Sequence, residues 1–349
     1  MDNGDITILV PTRKRHQFLS NCLKSIQKQS RTNLIAKVIV SENSEDSASE
    51  AVAQKFAGSL PIHYVQQQPE IPVERHCLKL FDLIDTTHTA IIADDDMWGR
   101  YHLEEAARAF ENHPEIHTFF GQAIVVCNET CYPLRRFAGS LLQIPDDIVP
   151  SVHDFRLLTA REVAMHCMAH TPLNIFSIVS RTESLRLGIE ESKDSPQPST
   201  DKMLIWRLAC QGPVAVGREI SLFYRAHPQS MIAEMIDDKS FDLYLSDYLL
   251  TREIEKQARQ LGYDPVEDWR SAFQKAEQLG IANLIHTWSP LLYRQLIRGE
   301  DPLANDQQVT VSDRSLGQRL RNLIYLLTPP LLQHISNRKP TPLRQDNNQ

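Results

Sequence analysis

The first 110 residues alternate short apolar segments with longer amphipathic ones, and this alternation constrains the fold more than any other feature of the sequence. Strands are predicted at 6–10, 36–40, 62–65 and 90–93, and helices at 16–29, 47–56, 73–83 and from 103 onward. Strands that alternate with helical segments of about 10–15 residues indicate βαβ units. We therefore predict an α/β fold in which a mainly parallel sheet is flanked by helices.

Three consecutive carboxylates, Asp94, Asp95 and Asp96, follow the fourth predicted strand. In open α/β sheets, ligands bind beyond the carboxyl ends of the strands. Oxygen-rich clusters suit hard divalent cations such as Mg²⁺ or Mn²⁺. An aspartate before a helix is also a good cap, and acidic residues favour the first helical turn. This segment alone therefore leaves metal binding and helix capping both open.

Composition excludes several classes of protein. With 37 basic and 44 acidic residues the net charge is −7, whereas a general nucleic-acid binder needs a basic face. The start of the chain is acidic and polar, unlike a secretory signal, and no apolar run reaches the ~20 residues that span a bilayer. These features predict a cytoplasmic protein. The glycines are too widely spaced for a GxGxxG or P-loop motif, which argues against a nicotinamide dehydrogenase or a P-loop kinase.

The six cysteines are sparse and lie mostly in apolar stretches, which predicts reduced thiols. A zinc site is the alternative for Cys127 and Cys131 together with His166 and His170. These residues lack paired CxxC motifs, so the spacing favours the reduced thiols.

Beyond residue 118 the pattern predicts strands at 119–127, 175–180, 214–216 and 221–224 and a helix at 202–211. The irregular stretch 132–152 carries three prolines and is predicted to be a lid or an acceptor-binding insertion.

Four segments in order resemble a family 2 glycosyltransferase with the GT-A fold. They are ILVPTRKR at 8–15, VIVSENSED at 38–46, IIADDDMW at 91–98, and the stretch from Thr200-Asp201 to the YRAHPQS of 224–230. The resemblance covers residues 5 to 232. It implies inverting transfer of a single sugar from a UDP-, GDP- or dTDP-sugar to a hydroxyl of a glycan, lipid-linked or protein acceptor. The QxxRW motif of processive synthases is absent, which favours single-sugar addition.

The resemblance also implies roles for individual residues. Asp201 would be the general base. Alternatively, Asp201 would be the N-cap of the helix that begins at Lys202. His227 would complete the metal shell, or else be only hydrogen-bonded. The donor-binding residues would be Pro11, Thr12, Arg13, Glu42 (where the family usually has Asp), Arg75, Asp94 and Asp95. The residues that hold Mn²⁺ or Mg²⁺ would be Asp94, Asp96 and His227. Arg75 could equally be a surface arginine.

The domain prediction is a GT-A-like domain at 1–235, a helical C-terminal domain at 236–336 and a disordered tail at 337–349. Helices are predicted at 243–261, 265–279 and 282–298. The basic amphipathic stretch 316–334 is predicted to pack on its own protein or a partner chain, or to lie on the inner face of the membrane.

Two other functions compete with glycosyl transfer. One is a metal-dependent sugar-phosphate nucleotidyltransferase, although the basic run at 13–15 lacks the glycines that its loop needs. The other is a non-catalytic protein that binds nucleotide sugars.

Overall fold

The computed structural model describes residues 1–127, 130–133, 155–168, 171, 173–196, 200–225, 227 and 240–278. The strands are β1 (Ile6–Thr12), β2 (Ile35–Glu42), β3 (Ile62–Gln66), β4 (His88–Ile91), β5 (Met97–Trp98), β6 (Thr118–Cys127), β7 (Thr130–Pro133), β8 (Arg156–Leu158), β9 (Ile178–Arg181) and β10 (Val214–Arg225). The helices are α1 (His16–Gln27), α2 (Ala48–Gln54), α3 (Val73–Leu80), α4 (His102–Asn112), α5 (Ala160–Cys167), α6 (Thr182–Ser192), α7 (Thr200–Gln211), α8 (Ser240–Gln260) and α9 (Pro265–Gln278).

One sheet unites these strands in the order β3-β2-β1-β4-β9-β6-β10-β5. β1 pairs in parallel with β2 and with β4, and β2 pairs in parallel with β3, as the βαβ alternation predicts. β9 then lies antiparallel between β4 and β6, while β6 and β10 are parallel. β7 and β8 pair with β6 and β10, respectively, at the far side. The α/β prediction is confirmed, and the sheet is mixed because β5, β7, β8 and β9 add antiparallel pairs.

Each face of the sheet carries its own apolar core, because successive side chains of a strand point to opposite faces. In β1, Ile8 and Val10 belong to the core beneath α1, α2 and α4, whereas Leu9 belongs to the opposite one. That second core includes side chains of α3, α5, α6, α7 and α8, with Trp206 fully buried in it. Helices on both faces leave the carboxyl edge of β1, β2 and β4 as the place for a site.

Several predicted boundaries change in the structure. The strands expected at 214–216 and 221–224 are one strand, β10, whose pairing with β6 shifts register between Val216 and Leu222. The segment predicted as a strand at 175–180 begins as a 3₁₀ turn, Ile175–Ser177, and only then enters β9. Helix α7 begins at Thr200, two residues before the predicted start, so Asp201 lies inside its first turn. The sequence pattern did not predict β5, β7, β8, α5 or α6. β7 includes Tyr132 and Pro133, which the sequence pattern assigns to the irregular stretch 132–152; they form a strand because they pair with β6.

The first two predicted C-terminal helices correspond to α8 and α9. Helix α8 places Leu250, Ile254 and Ala258 in the same core as α5 and α7. Within the described residues, no helix has the length and apolar character needed to cross a bilayer. The predictions for 134–152, 282–298, 316–334 and 337–349 lie outside the described residues, and the division into domains stays a prediction.

Candidate active site

The three aspartates lie where β4 ends beside β1. The backbone N–H of Ile92 still donates to the carbonyl of Leu9, at 3.1 Å, and the chain then turns so that the N–H of Asp96 donates to the carbonyl of Ala93. The short strand β5 follows at once and pairs with β10. Asp94, Asp95 and Asp96 are all buried, at 2%, 8% and 1% exposure. Three acids packed this closely need nearby donors or cations to remain ionised.

Asp94 is joined to the end of β1. The Thr12 hydroxyl donates to Asp94 Oδ2 at 2.5 Å, and Arg15 Nη1 lies 3.6 Å from Asp94 Oδ1. Burial and the neighbouring charge of Asp95 raise the pKa of Asp94 to about 7, against the lowering effects of Thr12 and Arg15. The structure thus brings together two predicted donor residues, Thr12 and Asp94, that are 82 positions apart.

Asp95 is bound by two basic side chains. Arg15 Nη1 lies 2.7 Å from Asp95 Oδ2, and His227 Nε2 lies 3.0 Å from the same oxygen. The ring of Phe18 in α1 packs against His227, with centroids 4.5 Å apart. His227 therefore reaches the carboxylate cluster, as predicted, but it contacts Asp95 rather than Asp94 or Asp96.

Asp96 has one oxygen engaged and one without a partner. Its Oδ1 accepts the backbone N–H of Arg225 at 2.8 Å, and Arg225 Nε also donates to the carbonyl of Asp95 at 2.9 Å. Asp96 Oδ2 and His227 Nδ1 are buried, and the part of the chain that the structure describes offers neither atom a hydrogen-bond partner. Burial raises the pKa of Asp96 well above its ordinary value, and the charge of Asp95 adds to this effect.

Glu42 lies at the end of β2 with no exposed surface. Its Oε1 accepts the Lys14 backbone N–H at 3.1 Å and the Ser44 hydroxyl at 2.5 Å, and its Oε2 accepts the Ser49 hydroxyl at 2.6 Å. Lys14 has a φ of 57°, a strained backbone conformation for a residue with a side chain. Both Glu42 oxygens are used inside the protein, which favours support of the β1 turn over direct donor contact.

The remaining predicted donor residues lie near the surface. Pro11 is half-buried at the end of β1, and Arg13 is exposed in an ion pair with Glu70 at 2.8 Å. Arg75 is exposed on α3. Pro11 and Arg13 flank Thr12, so the structure brings them to the edge that carries Asp94; it gives Arg75 no described contact with the carboxylates.

Asp201 lies half-buried in the first turn of α7. Burial raises its pKa to about 6, with further raising by the charges of Glu74 and Asp247. Tyr224 links it electrostatically to the carboxylate cluster: burial raises the Tyr224 pKa most, followed by the charges of Asp96, Asp95 and Asp201. The Tyr224 hydroxyl is thus within electrostatic range of both Asp96 and Asp201. Asp96 and Asp201 are 105 positions apart in the sequence, so only the fold relates them to the same tyrosine.

The donor atoms suit a hard cation, although they are not gathered around one point. Among the residues that the structure describes, no group of three or more His, Cys, Asp or Glu side chains could hold a metal ion as it stands. Asp96 Oδ2 and His227 Nδ1 are nevertheless buried polar atoms that lack a partner, and carboxylate oxygen with imidazole nitrogen is a fitting ligand set for Mn²⁺. The zinc alternative stays untested, because His170 and the side chains of Cys127 and Cys131 lie outside the described residues.

Residues 3–168 match the model of the family described as "Glycosyltransferase like family 2". The chain carries a family 2 glycosyltransferase-like domain. This match includes the first three of the four segments that carry the resemblance, with the end of β1, the end of β2 and the aspartate triplet. No curated protein matches the chain by sequence.

Solved structures share the fold of this chain. S. aureus TarS 1-349 superposes with a TM-score of 0.53 at 12% identity, covering 96% of this chain and 83% of that one. TarS 1-349 in complex with UDP gives 0.52 at 13% identity over the same shares. The complex with UDP-GlcNAc gives 0.52 at 12% identity, over 86% of this chain and 93% of that one. The GT-A fold prediction is confirmed by this likeness.

Two basic residues that contact the aspartate triplet were not among the predicted site residues. Arg15 belongs to the basic run after β1, and Arg225 belongs to the YRAHPQS segment. Arg225 also lies over the ring of Phe18, with its guanidinium carbon 5.4 Å from the centroid. Both arginines belong to motifs of the sequence, but only the fold shows that both contact Asp95. Arg15 binds its carboxylate and Arg225 binds its backbone carbonyl.

Proposed function

We propose that the chain is an inverting glycosyltransferase that moves a single sugar from a nucleoside diphosphate sugar to an acceptor hydroxyl. The observation that carries the proposal is the presence of two separate acidic groups whose charges both raise the pKa of Tyr224: the buried carboxylate cluster at the β1–β4 edge, and Asp201 in the first turn of α7. One group suits the departing diphosphate and the other suits the incoming hydroxyl. A UDP-sugar is the first donor to test among UDP-, GDP- and dTDP-sugars, because TarS has been crystallised with UDP and with UDP-GlcNAc.

The donor would lie at the carboxyl edge of the sheet. Pro11, Thr12 and Arg13 would line the nucleotide pocket, with Asp94 and Asp95 beside the ribose and the diphosphate. Arg15 and Arg225 add positive charge near the departing diphosphate, where it stabilises developing negative charge. Arg75 would face the donor from α3.

Asp96, Asp94 and His227 are the residues that would hold Mn²⁺ or Mg²⁺. A bound cation acts as a Lewis acid that stabilises the charge of the leaving diphosphate. The free Asp96 Oδ2 and the free His227 Nδ1 support this assignment. Thr12, by donating to Asp94, orients that carboxylate before any ligand binds.

Asp201 would act as the general base. As the acceptor oxygen forms its bond to the anomeric carbon, the bond to the diphosphate oxygen breaks and the hydroxyl proton passes to a carboxylate oxygen of Asp201. Attack from the face opposite the leaving group inverts the configuration. A pKa of about 6 leaves Asp201 mostly ionised at neutral pH and basic enough to accept a proton.

The acceptor would be a glycan, a glycolipid or a protein, without nucleic-acid binding and at the cytoplasmic side. For 316–334 two alternatives stand: packing on its own protein or a partner chain, or contact with the inner face of the membrane. That segment lies outside the described residues, so vesicle co-sedimentation of the full chain is the direct measurement.

The test compares wild type with Asp201→Asn. Thermal shift with UDP-, GDP- and dTDP-sugars, with and without Mn²⁺, identifies the donor, because a ligand that binds the native state raises its stability. Turnover of that donor is then measured by release of the nucleoside diphosphate. We expect Asp201→Asn to bind the donor as wild type does and to lose turnover by at least about 10²-fold. Asp85→Asn, at an exposed carboxylate of the opposite edge, is the matched control.

Three results would refute the proposal. Turnover retained in Asp201→Asn removes Asp201 from the base role. Donor binding without transfer by wild type to any acceptor or to water indicates a non-catalytic binding protein. Pyrophosphate release from a nucleoside triphosphate and a sugar phosphate indicates a nucleotidyltransferase.

A further inference from the structure

The start of α7 is held from two sides. The hydroxyl of Thr200 donates to Glu74 Oε1 of α3 at 3.0 Å. Lys202 Nζ lies 2.6 Å from Asp247 Oδ1 of α8. Asp201 stands between these two anchored residues, so its backbone position depends on both helices.

Lys202 is fully buried, which is rare for a lysine unless it is paired. Its ammonium group also donates to the Thr251 hydroxyl at 3.0 Å. The Asp247 side chain is 24% exposed, but the desolvation of the buried Lys202 ammonium still offsets much of the attraction, so the pair adds little stability over apolar side chains of similar volume. Stability alone therefore does not account for this pair, whereas fixing the backbone beside Asp201 does.

Helix α8 also contacts the segment that precedes α7. The Ser246 hydroxyl donates to the carbonyl of Pro196 at 3.1 Å, one residue before the Asp247 contact. A single turn of α8 thus holds the chain on both sides of Asp201.

We propose that Lys202 is a positioning residue: its ion pair with Asp247 holds Asp201 where it receives the acceptor proton, and α8 is part of the catalytic unit. This inference rests on the proposed role of Asp201 as general base. It assigns a function to a helix that lies outside the segment matched by the family model.

The charges around Asp201 provide a readout that a purely structural role would not give. After burial, the charges of Glu74 from α3 and Asp247 from α8 raise the Asp201 pKa, while Lys202 lowers it. From β10, Tyr224 is the titratable group whose pKa the charge of Asp201 raises. Loss of Lys202 should therefore move the acid limb of kcat to higher pH, and loss of Asp247 should move it to lower pH.

The experiment measures kcat, donor KM and the pH profile of kcat in Lys202→Met, Asp247→Asn and the double variant Lys202→Met/Asp247→Leu. We expect kcat to fall about ten- to hundredfold, because small misplacements of a reacting group cost this much. Donor KM should stay within about twofold, since the donor edge is unchanged. Gln257→Met is the control: it removes the 2.8 Å bond from Trp206 Nε1 to Gln257 Oε1 between the same two helices, away from Asp201. Its kcat and pH profile should match those of wild type.

The positioning role of Lys202 is overturned if Lys202→Met or the double variant has a wild-type kcat while Asp201→Asn is inactive. That result leaves the base role of Asp201 in place. A rise in donor KM at unchanged kcat overturns it as well. Full activity of Asp201→Asn instead refutes the proposed function itself. If thermal unfolding shows that neither Lys202 variant folds, Asp247→Asn decides, because it keeps the hydrogen bond from Lys202 to Thr251. A wild-type kcat with an unshifted acid limb in Asp247→Asn overturns the inference.

Discussion

The hydroxyl of Thr12 lies 2.5 Å from Asp94 Oδ2, so the ends of β1 and β4 are joined by a buried hydrogen bond inside the candidate site. The pairing of the two strands sets this contact, because β1 and β4 are parallel neighbours and both end at the same edge.

Thr12→Val should raise donor KM about tenfold. A hydrogen bond to a charged group contributes roughly 1.5–3 kcal/mol, and without it the Asp94 carboxylate is less ionised and less well oriented. The matched control is Thr7→Val in the same strand, which removes a buried hydroxyl that accepts from Thr86 at 2.8 Å, far from the site. Steady-state kinetics should show the KM effect in Thr12→Val only; equal KM values in the two variants would contradict the assignment.

The pH dependence of kcat should show an acid limb near pH 6. Asp201 must be ionised to accept a proton, so kcat falls as pH drops through its raised pKa of about 6. Asp94, with a pKa of about 7 before ligands bind, should move the limb of kcat/KM to a higher pH than that of kcat. A kcat limb near the ordinary aspartate value of about 3.9 would show that another group is the base.

Arg15→Met should destabilise the fold by about 1–3 kcal/mol. It leaves the buried Asp95 carboxylate without its 2.7 Å partner, and an uncompensated buried charge costs more than an exposed one. Arg186→Met is the control, because its ion pair with Glu183 is exposed on α6 and should not change the free energy of unfolding measurably. Urea unfolding at neutral pH measures both variants. Equal stabilities would mean that water or His227 compensates Asp95.

Glu42→Gln should lower the free energy of unfolding by about 1–2 kcal/mol while donor KM stays within about threefold. The buried carboxylate accepts three hydrogen bonds within the protein, and an amide cannot accept all of them. Denaturant unfolding and donor kinetics on one preparation separate the two effects. A tenfold rise in KM at unchanged stability would instead establish direct donor contact.

The first half of the fold follows from the sequence because local periodicity and neighbouring strand pairs agree. β1, β2 and β3 begin and end within two residues of their predicted bounds, and each is followed by the predicted helix. The second half depends on pairings between distant segments. β9 lies antiparallel between β4 and β6, and nothing in its own residues indicates that position. The sequence pattern predicts two strands in place of β10 because Gly217 and the polar residues after it interrupt the apolar pattern. In the structure, pairing with β6 makes the segment a single strand.

The site was predictable to the extent that its residues follow strand ends. Asp94 and Thr12 meet because their strands are parallel neighbours. Arg225 reaches Asp96 across 129 positions through its backbone N–H, a contact that no side-chain motif encodes. Lys202 would be assigned to the solvent face by its charge, yet it is fully buried because Asp247 and Thr251 of α8 provide partners. The roles of the individual site residues stay predictions.

Strand β10 runs from its pairing with β8 at Val214 to the amide of Arg225 that holds Asp96. The position of that amide therefore depends on the number of residues between Val214 and Arg225. Deleting one residue between 217 and 224 would turn each later side chain of β10 to the opposite face of the sheet. Tyr224 would then move away from Asp96 and Asp201. A redesign of this protein should therefore keep the length of β10 fixed.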